Sequence, residues 1–217
     1  MRTLLALLAT GLIAVSLAAP LKAQAPAAAP ARRFVVDRNH TVIGFKAGTL
    51  LFGVPGRFQA YDLALKGSPE APDGASVTLT LKTASINTAI AARDEHLRSA
   101  DFLDAAKYPA ITFTSSKVWR ENGKLMVIGT LDLHGVRKEM AIPFEEASGK
   151  NGAGNDSWSY TATLNLNRKD FGIGADSVAA KISLKDPVEL NLLLVLYAEE
   201  ATPKPVELKK APARRKG

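Results

Sequence analysis

The sequence predicts an all-β domain, a sandwich or a barrel of antiparallel strands. Apolar residues hold alternate positions in Leu125, Val127, Gly129, Leu131 and Leu133, and again in Trp158, Tyr160, Ala162, Leu164 and Leu166. A period of two turns one face of a strand to something apolar and the other to water. These runs are punctuated by turn-forming clusters, "KGSPEAPDG", "ENG" and "SGKNGAGNDS", at the spacing of a sandwich or barrel. Only one long stretch carries a helical period.

Taken in order, the candidate strands are 33–37, 41–48, 56–66, 75–84, 110–120, 124–133, 137–146, 157–167 and 187–198. The strand at 110–120 sits in "YPAITFTSS", where Ile111 and Phe113 alternate with Thr112 and Thr114. The helical stretch is "AIAARDEHLRSADFLDAAKYP", 89–109, with Ile90, Leu97 and Phe102–Leu103 near helical spacing. Pro109 ends it, because a proline biases the residue before it away from helix. The last strand is apolar on both faces from Leu192 to Tyr197. It is expected to be covered twice, the outer cover being the helical segment or a partner chain, which admits a homodimer.

The termini read differently. Arg2, an apolar run of about 14 residues from Leu4 to Leu17, Pro20 and small residues to Ala23 have the make-up of a secretory signal peptide. The run is short of the roughly 18–20 apolar residues that span a membrane. Residues 1–23 are therefore expected to be removed on export to the periplasm. An Ala/Pro linker follows at 24–33, then the domain at 34–199, then a basic tail at 200–217. Of the net charge of +7, the leader supplies +2 and Glu199–Gly217 supplies +3, so the body is near neutral. Such a body does not suit nucleic acid, whereas the tail could touch an anionic lipid or cell-wall surface. The chain has no cysteine, which excludes disulfides, thiol nucleophiles and thiolate metal sites.

Catalytic motifs are missing: there is no G-x-S-x-G elbow, P-loop or G-x-G-x-x-G. His40, His96 and His134 lie far apart without metal-ligand spacing. His134, in "LHGV", reads as a structural hydrogen-bonding residue in a strand-end turn. Arg93, His96 and Arg98 could converge on an anionic head group at one end of a barrel. Arg168 and Asp170, in "NRKDFG", are expected to pair and fix a turn. No catalytic residue, metal site or cofactor is assigned.

The segments "VVDRNHTVIGFKAG", "GRFQAYD", "SINTAIAARDEHLRSADFLDAAKYPAITFTS", "GTLDLHGVRKEMAIPF", "LNRKDFGIG" and "VELNLLLVLYA" run over residues 34–198. In that order they resemble the YceI-like family of exported bacterial proteins. His40-Thr41 stands where the family usually has His-Ser. The resemblance implies an eight-stranded, antiparallel, lipocalin-like barrel with one short helical excursion. It also implies non-covalent binding of a polyisoprenoid or other long amphiphile inside the barrel, without enzymatic activity. Strand parity then nominates Ile43, Phe45, Tyr61, Leu63, Phe113, Leu131, Trp158, Tyr160, Leu164 and Leu192 as lumen residues. Parity alone leaves open whether they line a cavity or fill it.

Overall fold

Phe113 shows how the alternating pattern builds the wall. It lies opposite Leu79 on one neighbouring strand and opposite Leu131 on the other, and Leu79 in turn faces Leu63. Four strands thus present one apolar row to the inside, the arrangement in which cross-strand pairs stabilise a sheet. On the far wall Phe45 faces Leu190, which faces Leu164, and Ile43 faces Leu192.

The computed structural model describes residues 32–199. The leader, residues 24–31 of the linker and the tail lie outside the described residues. The chain forms β1 (Arg33–Val36), β2 (Val42–Thr49), β3 (Gly53–Phe58), β4 (Tyr61–Ser68) and β5 (Ala71–Lys82). A 3₁₀ turn (Thr83–Ser85), β6 (Ile86–Asn87) and helix α1 (Ala91–Arg98) follow. Then come β7 (Ala110–Glu121), β8 (Lys124–Leu133), β9 (Val136–Lys150) and β10 (Asp156–Asn167). A second 3₁₀ turn (Arg168–Phe171), helix α2 (Val178–Ser183) and β11 (Leu184–Glu199) complete the order. Arg33, where the expected linker and first candidate strand overlap, opens β1 opposite Glu199.

All pairings are antiparallel, in the order β4-β5-β7-β8-β9-β10-β11-β2-β3-β6, with β1 beside β11. The expected eight strands are corrected to eleven among the described residues, because three extended runs are broken. β1 and β2 are separated by the Asp37–Thr41 turn, β3 and β4 by Gln59–Ala60, and β5 and β6 by the 3₁₀ turn. At the last two breaks the Gln59 amide bonds the Ser85 carbonyl (3.1 Å) and the Lys82 amide the Ala60 carbonyl (2.9 Å). The sheet is therefore a curled, lipocalin-like wall whose two ends are tied by the chain itself.

One line of the wall has no ladder. Among the described residues no strand pairs the outer edge of β4. Side chains bridge this seam instead. Arg38 donates to the Tyr61 carbonyl (2.8 Å) and lies 3.6 Å from Asp62, while Arg32 meets Glu70 at 3.2 Å.

The single helical excursion is also corrected. Helix α1 covers only eight residues of the expected 89–109, and α2 is a second helix. From Ser99 the chain leaves the helix, and Asp104 takes a left-handed φ of 43°. That turn buries Phe102 and Leu103 beside the barrel, so their apolar spacing reports a folded loop. The outer residues of β11, Leu193, Val195 and Tyr197, are half-buried, less than the double cover expected of them.

Arg168 and Asp170 part company. Asp170 pairs with Lys138 (2.9 Å), while Arg168 turns inward to Asp186 (3.0 Å) and donates to the carbonyls of Ile173, Ala180, Leu184 and Lys185. With 3% of its side chain exposed, it is a buried charge satisfied on all sides, as burial of a guanidinium requires. His134 stands in the β8–β9 turn, its Nδ1 2.9 Å from the Phe171 carbonyl oxygen and its ring stacked on Tyr108.

Candidate functional site

The inward rows enclose an apolar cavity of about 260 Å³. Residues from almost every strand line it, and α1 and its following turn contribute Leu97, Phe102 and Leu103. Among the described residues the lining includes few polar ones, Lys66, Ser68, Ser76, Tyr160 and Arg168. Alternation turns the side chains of Lys66 and Ser76 away from the inward Leu65 and Val77. Arg168 is already saturated by the contacts above. Burial pushes the Tyr160 phenol far above its usual range, and the nearby Glu146 carboxylate pushes the same way. It is a neutral group at any physiological pH. The arrangement favours burial of hydrocarbon and offers no paired acid and base.

Two glycines shape the cavity. The Phe113 ring lies over Gly129, where an added Cβ would come 2.6 Å from the ring and 2.4 Å from the Thr114 carbonyl oxygen. The Phe45 ring covers Gly56 in the same way, at 2.3 Å. A glycine inside a strand here marks close approach of another group. Both rings lie down on the wall and leave the centre free.

Of the nominated lumen residues, Ile43, Phe45, Leu63, Phe113, Leu131, Tyr160 and Leu192 line the cavity. Tyr61, Trp158 and Leu164 fall outside its lining. Trp158 packs edge-on against Phe34 (5.5 Å between centroids). Arg38 stacks over the Tyr61 ring, whose hydroxyl is buried without a partner. Leu164 shares the parity of Tyr160 and Leu166 and faces the lining Leu190, yet is not itself part of the lining. Parity missed most of the β5 and β11 contributors, Val77, Leu79, Leu190 and Leu194. Their alternation is visible in the sequence once those strands are paired.

The expected convergence of Arg93, His96 and Arg98 is corrected. Arg93 donates to the Thr88 hydroxyl and carbonyl (2.7 and 2.8 Å), and Arg98 to the carbonyls of Ala84 and Ile86 (2.7 and 3.0 Å). His96 pairs with Asp101 (3.1 Å). Buried Asp94 takes the Thr88 amide and hydroxyl. The two arginines clamp separate pieces of backbone, His96 meets a side chain, and none of the three lines the cavity. The lining reaches the β4–β5 turn instead, where Ser68, Pro69 and Pro72 border the cavity.

Comparison with known proteins agrees with this architecture. Solved structures of similar fold include BcnA of Burkholderia cenocepacia (TM-score 0.65, 23% identity, covering 74% of this chain and 99% of that one). A YceI protein of Campylobacter jejuni matches with a TM-score of 0.60 and 28% identity over 69% of this chain and 88% of its own. A polyisoprenoid-binding domain from Saccharophagus degradans shares the fold at a TM-score of 0.56 and 18% identity, covering 76% of this chain and 98% of that domain. A UPF0312 protein of Vibrio cholerae is 37% identical over 187 residues, 82% of this chain and 96% of that protein. A Shewanella baltica relative is 37% identical over 196 residues, 86% and 95% of the two chains. The family model for the YceI-like domain matches residues 34–196, from β1 to the last turns of β11, and the chain belongs to the YceI-like family.

Proposed function

We propose that this protein is an exported, periplasmic binding protein that holds an isoprenoid or similar long-chain amphiphile non-covalently inside its barrel. The observation that carries the proposal is the continuous apolar cavity between the row Leu63, Leu79, Phe113, Leu131 and the opposite wall of Phe45, Leu190 and Leu192. Each methylene moved there from water gains about 0.8 kcal/mol. The polyisoprenoid-binding domain of Saccharophagus degradans supports the choice of ligand class through its shared fold. The head group would leave the barrel beside the β4–β5 turn, at Ser68, rather than at α1.

The cavity volume favours keeping a second reading. At about 260 Å³ it falls just below the ~300–1,000 Å³ typical of ligand pockets. A long tail therefore enters only if the side chains of the wall give way around it. In the second reading the barrel is filled by its own side chains and the protein acts as an interaction module. Native mass spectrometry of protein recovered from the periplasm separates the two. A lipid adduct, lost on solvent extraction and restored by added polyprenol, is the expected result. A clean apo mass with no polyprenol uptake favours the module. Sequencing the same sample should show a mature N-terminus near Gln24, and Met1 on membrane-bound protein would overturn export.

A further inference from the structure

We infer that the barrel end formed by the β2–β3 tip and α2 is a docking surface for an anionic lipid membrane. The tip exposes three successive large apolar side chains, Leu50 (70% exposed), Leu51 (90%) and Phe52 (63%). Helix α2 exposes Val178 and Ile182, one turn apart and so on one helical face. The two patches are neighbours, because Thr49 pairs with Leu184, the residue that follows α2. Isolated apolar residues on a surface need no explanation, but a contiguous group does.

The tip is built to leave water. The Thr49 amide and hydroxyl both donate to the Phe52 carbonyl (2.7 Å each), and the same hydroxyl accepts from the amides of Leu51 (3.3 Å) and Phe52 (3.0 Å). Those backbone groups are satisfied within the turn, so inserting it among lipid head groups strands none of them. Helix α2 is ordered from outside the patch by the Ser177 cap on the Ala180 amide and by Arg168 on the Ala180 carbonyl.

Charge chooses the partner. Lys46, Lys181 and Lys185 surround the patch, and none has an ion pair among the described residues. The Lys46 chain runs against Gly53 and the Lys185 chain against Gly48, which places both beside the tip. Basic side chains around exposed hydrophobes match an interface with anionic lipid. The ladder between β2 and β11 is also interrupted here, between Leu184 and Val188. Those two residues and Ala47 line the cavity, so apolar surface runs from the lumen towards the patch.

The chain's lack of cysteine makes the test direct. An environment-sensitive dye is placed on Leu51→Cys, and on Ala153→Cys in the β9–β10 turn at the opposite end, in the full chain. Vesicles of phosphatidylcholine and phosphatidylglycerol in equal parts should shift the Leu51→Cys emission to the blue and leave Ala153→Cys unchanged. Pure phosphatidylcholine should shift it less. Lys181→Glu with Lys185→Glu should raise the lipid concentration for half-shift by about ten-fold or more, with an unchanged melting temperature. Equal shifts at both ends, or none at Leu51→Cys, overturn the proposal. A shift without vesicles that grows with protein concentration, together with a dimer in sedimentation, would assign the patch to a second copy of the chain. Lipid loading of the barrel is read separately by mass, so failure here is distinguishable from failure of the binding proposal.

Discussion

Replacing Arg168 by leucine should lower stability by about 3–5 kcal/mol, the cost of breaking a buried charge network while leaving its partners in place. Its guanidinium holds carbonyls from Ile173 just after the second 3₁₀ turn, from α2 and from the start of β11. Urea denaturation would measure the loss. Arg168→Lys should recover only part of it, because an ammonium cannot reproduce the fork. The sequence pairs Arg168 with Asp170 because they are close in the chain. The fold instead brings up Asp186 on β11, which no local pattern announces. His134 was legible, since a histidine before glycine in "LHGV" fits a strand-end turn and its bond to Phe171 is made there.

Strands were far more legible than helices. Alternation survives translation into β7, β8 and β10 almost residue for residue, because one side of each truly faces apolar surroundings. The break at Gln59–Ala60 was invisible, as a bend in a strand leaves the alternation running on both sides of it, and β6 was missed because two residues carry no period. Helix α2 was missed because six residues give no measurable period, and its larger apolar side chains point to solvent. The Gly129–Phe113 contact belongs at this scale, since it fixes how β7 meets β8. Gly129→Ala should cost about 1–3 kcal/mol of overpacking, read by thermal melting. Adding Phe113→Leu should relieve the clash with the ring but not the one with the Thr114 carbonyl, so recovery should be partial.

For the whole molecule, parity identified which face looks inward but not the level at which space remains. Tyr160 lines the cavity while Trp158, two residues before it, does not, because that level is occupied by its edge-on contact with Phe34. Leu131 tests which description holds. Leu131→Ala should lower the stability of the lipid-free barrel by about 2–3 kcal/mol, the lower part of the range for a buried leucine, since it already borders open space. Melting with and without polyprenol should show a further loss in the loaded state. Full loading with an equal drop in both states would mean that the barrel is plugged at that level.

The unpaired seam along β4 has a consequence in time rather than in space. The Lys82 amide bonds the Ala60 carbonyl, so the ladder with β5 continues through Asp62, Ala64 and Lys66. The amides of Leu63 and Leu65 point the other way, to the bare edge that only Arg38 and Arg32 span. In deuterated water those two amides should exchange orders of magnitude faster than their immediate neighbours, although the Leu63 and Leu65 side chains face the interior and those of Asp62, Ala64 and Lys66 face solvent. Local opening there needs no unfolding of the wall. Excess salt, by screening the two arginine bridges, should quicken the exchange of Asp62 and Ala64 before that of any amide on β8, which would make β4 the first strand to let go.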